Sequence, residues 1–201
     1  RLMPSCNFVK LRVGLLAQRM GVPVSHFIAA TNRNDVIPEF LSTGKYTPRP
    51  SVATLSNAMD VGAPSNFARM LNLYGHANGL DPLSPATHAG MKELITGYAY
   101  DDATTERAVK EVESKFGYVI DPHGAVGYLA LNEWQKNNPN TRGVILETAH
   151  PSKFKPDVER ILGHEIEVPQ RLAEMEDREK VATQMGADYE PVKEWLKAKY
   201  L

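Results

Sequence analysis

Residues 9 to 30 constrain the fold more than any other stretch of the chain. V-K-L-R-V-G-L-L-A-Q-R-M (9 to 20) has the spacing of a helix, Gly21 and Pro23 end it, and the apolar run V-S-H-F-I-A-A (24 to 30) follows as a strand. A helix feeding directly into a buried strand is the unit from which parallel sheets are made, so the expected class is α/β, a mostly parallel sheet flanked by helices. P-S-N-F-A-R-M-L-N-L-Y (64 to 74) reads as a further helix, and D-D-A-T-T-E-R-A-V-K-E-V-E-S-K (101 to 115) as an amphipathic one with an acidic first turn. Residues 75 to 90, broken by Gly and Pro, read as a long loop.

Asp121 and Pro122 form a helix start, Asp as the cap and Pro in the first turn. Gly124, Ala125 and Gly127 then leave a thin helix face that lets a neighbour come close. G-V-I-L-E-T-A-H (143 to 150) reads as a buried strand running into a polar turn, with K-F-K-P-D-V-E-R-I-L as the helix behind it. The expected division is an α/β portion over 1 to 163 and a charged helical tail over 164 to 201.

At 201 residues the chain can bury roughly 70% of its unfolded surface, enough for a real core. Its 23 basic and 24 acidic residues create no long-range field, which argues against nucleic acid and anionic lipid as partners. No apolar run approaches the roughly 20 residues that span a bilayer. The lone Cys6 forms no internal disulfide, so a reducing, cytoplasmic setting is expected. No signal peptide is read ahead of the first structured segment, and a start at Arg1 rather than Met suggests a fragment or processed product.

In an open α/β sheet ligands bind beyond the carboxyl ends of the strands. Two segments fit that place. Pro4 to Phe8 precedes the first helix, whose free amides would face an anion, and Glu147-Thr148-Ala149-His150 ends the Val144 to Leu146 run. Asn32, Asn34 and Asp35 either cap the helix V-I-P-E-F-L or touch substrate or a neighbouring loop; His123 and His150 read as helix-start and turn residues, and no metal-ligand spacing is present. Lys10 is either a phosphate partner or a solvated lysine in a first helical turn.

P-S-x-N-F, L-L-A-Q-R-M-G-V-P-V, S-N-A-M-D-V-G-A-P-S-N-F, D-P-H-G-A-V-G-Y and T-A-H-P-S-K-F, taken in order over most of residues 4 to 163, resemble the C-terminal half of threonine synthases. The resemblance implies a pyridoxal-phosphate enzyme of the tryptophan-synthase β-like fold, fold type II. Such enzymes turn O-phospho-L-homoserine and water into L-threonine and phosphate through an aldimine of the cofactor, in amino-acid biosynthesis. It places the family's phosphate cradle, S-G-N-F-G followed by Asp or Asn, on Ser5, Cys6, Asn7, Phe8, Val9 and Lys10, and the residue facing the pyridine nitrogen on Thr148. The cofactor-binding set it implies is therefore Ser5, Cys6, Asn7, Phe8, Lys10 and Thr148, with Thr148 and Asn7 in one crevice. Cys6 and Val9 stand where the family has glycine, so restoring glycine at both is expected to tighten cofactor binding. The family's Schiff-base lysine belongs to an N-terminal F-K-D-like motif that these residues do not contain, so no catalytic residue is assigned. Lys155, in F-K-P-D, falls within the T-A-H-P-S-K-F segment instead. The alternative is a non-catalytic α/β module with a degenerate anion site.

Overall fold

A computed structural model describes every residue except Arg1, Ser5, Cys6, Thr148, Asp177, Lys180 and Ala187. The chain divides into two units, residues 1–166 and 167–201. The first is built on a sheet of three parallel strands in the order β1 (Leu2–Pro4), β2 (Phe27–Thr31) and β3 (Ile95–Ala99). Helix α1 (Val9–Arg19) makes the crossover from β1 to β2, and α2 (Val36–Thr43), α3 (Phe67–Tyr74) and α4 (Pro85–Leu94) intervene before β3. Helices α5 (Asp102–Phe116), α6 (Pro122–Asn137) and α7 (Lys155–Leu162) complete this unit; α8 (Gln170–Glu176) and α9 (Tyr189–Tyr200) belong to the second.

Strand β2 is buried along its whole length because both sheet faces are covered. Phe27 and Ala29 face a core with Leu11 and Leu15 of α1, Phe40 of α2, Phe67 and Met70 of α3 and Met91 of α4. Ile28 and Ala30 face Val126 and Ala130 of α6. The period of two along a strand thus assigns each residue of F-I-A-A to one of two helix layers. A further core joins α5, α6 and α7 through Ala108, Val109, Val112, Ala125 and Ile161.

Two expectations change. The segment 75 to 90 is not all loop, because Ser84 accepts a hydrogen bond from the Thr87 amide at 3.2 Å and, with Pro85 in the first turn, starts α4. Residues 143 to 147 form no strand ladder: Val144 is 48% exposed, while Ile145 and Leu146 each cover one edge of a different core. Ile145 makes an isolated β-bridge, so the run pairs its backbone at one residue and otherwise buries single side chains. Strand β3 goes unread in the sequence since I-T-G-Y-A is short and centred on glycine. Its Gly97 is needed, for a Cβ there would lie 2.6 Å from Pro38 Cα and would push α2 off the sheet.

Candidate active site

The carboxyl ends of β1 and β2 lead into the two segments that define the site's floor. Past β1, Phe8 caps α1 in the left-handed region at φ 56, ψ 17, and its own side chain gives no cap to the amides of the first turn. Its ring is buried with Leu11 and Leu15, and this anchoring outweighs a backbone cost of about 1–2 kcal/mol. The sequence placed the conformational demand at Cys6 and Val9. Val9 is instead ordinary helix with a 46% exposed side chain, Phe8 takes the left-handed position, and Cys6 lies outside the described residues.

Asn7 donates to Ser65 Oγ at 3.0 Å and accepts from the Ser65 hydroxyl at 3.3 Å and the Asn66 amide at 3.4 Å. It therefore ties the N-F turn to the A-P-S-N segment that precedes α3. Lys10 stands in the first turn of α1, which holds no acid, and the buried Nε of Arg12 in the next turn has no hydrogen-bond partner among the described residues. A helix start with free amides, no acidic residue and two cations fits a phosphate group.

Past β2, Asn32 and Asn34 turn inward rather than capping α2. Asn32 is 1% exposed, and its amide reaches Asp60 Oδ1 at 2.8 Å, Thr54 Oγ1 at 2.7 Å and Ser56 Oγ at 3.1 Å. Asn34 donates to Asp60 Oδ1 at 3.1 Å and to the Val52 carbonyl at 2.9 Å. Ser56, buried, and Asp60, half-buried, thus close a knot that fixes the loop over 52 to 60. Asp35 pairs with Arg49.

The third wall is the start of α6. Asp121, fully buried, accepts at Oδ1 from the His123 amide and from His123 Nδ1–H, both at 2.9 Å. The His123 Nε2 accepts from the Ala58 amide at 3.2 Å, which locates the ring proton on Nδ1. The carboxyl of Glu147 fills the space over Gly124, where a Cβ would overlap it. Burial first, then the hydrogen bond and charge of Asp121, push the Glu147 carboxyl up to about 8, while Lys10 acts in the other direction. Burial alone would raise Asp121, but its hydrogen bonds with His123 and the neighbouring Glu147 carboxyl outweigh it, and its own carboxyl is held below the usual range. The pairing of Glu147 with Asp121 escapes sequence reading; the glycine face at 124 to 127 was the available signal.

Of the sequence-predicted cofactor set, Asn7, Phe8 and Lys10 lie together at the start of α1, and Ser5, Cys6 and Thr148 are outside the described residues. The charge of Lys10 favours the ionised form of Glu147, the neighbour of Thr148 in sequence. His150 accepts from the Ser152 amide at 3.2 Å and so closes its own turn. Lys155 starts α7 with its Nζ 4.0 Å from Glu159. Among the described residues no helix is long and apolar enough to cross a membrane.

A parallel sheet covered on both faces, with a helix starting beyond one strand, is the α/β arrangement in which ligands bind past the strand ends, and its solved neighbours are pyridoxal-phosphate threonine synthases. Residues 124–196 match the family model "Threonine synthase, C-terminal". Threonine synthase of Escherichia coli is 43% identical over 188 residues, covering 93% of this chain and 40% of that protein. The Haemophilus influenzae enzyme is 38% identical over 96% of this chain and 42% of its own length. The crystal structure of the Escherichia coli threonine synthase superposes with a TM-score of 0.82 at 40% identity, over 98% of this chain and 44% of that one. Threonine synthase from Brucella melitensis with bound pyridoxal phosphate gives 0.83 at 28% identity, over 98% and 45%. The chain belongs to the threonine synthase family and spans less than half the length of these relatives.

Proposed function

We propose that the chain forms the cofactor-contacting C-terminal portion of a threonine synthase, a cytoplasmic enzyme of threonine biosynthesis that converts O-phospho-L-homoserine and water into L-threonine and phosphate. The observation that carries this reading is the junction of Asn7 with Ser65 and Asn66, which joins two family-like segments 58 residues apart beside an uncapped helix start. Pyridoxal phosphate, when bound, supplies an electron sink for carbanions that side chains alone do not stabilise. Its phosphate would be held by the first-turn amides of α1 and by Lys10, with Ser5, Cys6, Asn7 and Phe8 forming the turn. Thr148 is the proposed hydroxyl partner of the ring nitrogen. The knot around Asp60 keeps the loop over 52 to 60 in a fixed place, so that the crevice does not collapse when water leaves it.

No side chain of this chain is assigned the covalent role, because the family's lysine lies in a motif absent from its sequence, and the isolated chain is expected to release no phosphate. The proposed division between the α/β portion and the helical tail falls after residue 163. A chimera in which these 201 residues replace the matching part of the Escherichia coli relative tests the reading. Phosphate release from O-phospho-L-homoserine is the expected result. A folded chimera that binds pyridoxal phosphate but releases none would favour the second reading, a non-catalytic module with a degenerate anion site. Cys6 and Val9, where the family carries glycine, favour that alternative.

A further inference from the structure

Asp121 presents an unusual deficit. Its Oδ1 receives two hydrogen bonds from His123, while Oδ2 is buried and has no donor among the described groups. Among the described residues, the polar group set against it is the carboxyl of Glu147, lodged over Gly124 in the first turn of α6. Two ionised carboxylates offer each other only acceptors, whereas a protonated one donates to its neighbour. We infer that Glu147 and Asp121 hold a single proton between them, carried on Glu147 and donated to Asp121 Oδ2, and that this bond docks the segment over 144–147 onto the start of α6. Glu147 is thus a positioning residue, whose place in the chain is immediately before Thr148.

Three features of the structure agree. Gly124 is the only residue type that leaves room, because any Cβ there would coincide with the Glu147 carboxyl. The charged and titratable groups that act on the pair are Lys10 of α1, Tyr118 in the turn before α6, and His123. Lys10 alone favours an ionised Glu147, and burial together with Asp121 opposes it more strongly. A neutral Glu147 also leaves the charge of Lys10 uncommitted, so the start of α1 stays receptive to an anion. Once Glu147 ionises, it repels Asp121, leaves the notch and competes for Lys10.

The pH dependence follows in sign. In the unfolded chain glutamate titrates near about 4.3, and in the folded chain Glu147 titrates at about 8. The folded state therefore binds more protons across that interval, and stability falls as pH rises through it. The contribution is complete below the unfolded value and gone above the folded one. This conclusion does not depend on the cofactor, so it can fail while the proposed function stands.

The test is thermal unfolding of the 201-residue chain between pH 6 and pH 9, with Glu147→Gln and Gly124→Ala beside the wild type. The full shift would correspond to a loss of about 5–10 °C in Tm over that range on the usual scaling for a domain of this size, and because the Glu147 residue is partly exposed and screened by water, at least about 3 °C of it should remain. Glu147→Gln donates an amide N–H to Asp121 at every pH, so its Tm should lack that loss. Gly124→Ala, which strengthens the helix while evicting the carboxyl, should lack it as well. The 13C shift of the Glu147 carboxyl should titrate near 8 in the wild type and in the ordinary glutamate range in Gly124→Ala. A wild-type carboxyl that titrates in the ordinary range, or a loss that persists in Glu147→Gln, overturns the shared proton. A loss abolished in Glu147→Gln but retained in Gly124→Ala overturns its location over Gly124.

Discussion

Two carboxylates sit within reach of the strand ends and are used in opposite ways. Asp60 receives four hydrogen bonds, at 2.8 and 3.1 Å from Asn32 and Asn34 and at 2.7 and 3.0 Å from the Thr54 hydroxyl and amide. Asp121 receives its bonds on one oxygen and keeps the other for Glu147. The first arrangement is saturated by groups that do not titrate in the neutral range, so it has one state and sets the shape of a loop. The second is completed by a proton, so it has two states. Asp60 is half-buried in a loop and Asp121 fully buried at a helix start, and the donor set decides which acid is scaffold and which is switch.

The largest effects should come from breaking the saturated side. Asn32→Ala leaves Asp60, Thr54 and Ser56 without their common donor in a buried place, and a cost of about 3 kcal/mol is expected from urea unfolding. A cost under about 1 kcal/mol would mean that water or a neighbouring loop replaces the asparagine. Gly97→Ala attacks the support of the same region, since the new Cβ meets the backbone at Pro38 and cannot be relieved by a rotamer change. About 2 kcal/mol is expected, and the contact of α2 with β3 should loosen in amide exchange.

On the responsive side the effects are smaller. Val9→Gly should cost about 0.5 kcal/mol by helix propensity, because Val9 is helical, half exposed and outside the core. Pyridoxal phosphate titrated into both forms should bind equally. Tighter binding by the glycine form would show that the side chain obstructs the turn after all.

The same contrast explains what could be read from the sequence. Helix α5 was legible from its amphipathic run and α6 from Asp121 and Pro122; Asp101 proves to be the cap of the first, and both Asp101 and Asp121 accept from amides two or three residues on. The run F-I-A-A was legible as a strand through its unbroken apolar character. What escaped depends on contacts distant in the chain. Gly97 makes sense only against Pro38, Asn32 only against Asp60, and Glu147 only against Gly124 and Asp121. The left-handed backbone at Phe8 was hidden for a related reason: local preference disfavours it, and burial of the ring overrides that preference.

The smallest expected effect is the one that best separates the two carboxylates. Lys10 is the one cation that draws Glu147 toward ionisation, so Lys10→Met should move the Glu147 midpoint upward from about 8. The move should stay under about one pH unit, because half-exposed charges near a surface interact by no more than about 1 kcal/mol. In stability the sign is fixed: with Lys10 removed, the folded state keeps its proton to higher pH, and the loss of Tm begins later. Molar salt should shift the wild-type midpoint in the same direction by screening Lys10 and should shift the variant less. The Asp60 knot offers a control within the same molecule, since Lys10→Met should leave its amide exchange unchanged. A midpoint that falls, or one that ignores both the substitution and salt, would mean that Lys10 and Glu147 do not share a crevice, and the link between the helix start and the proton would be lost while the Asp121 pair itself could stand.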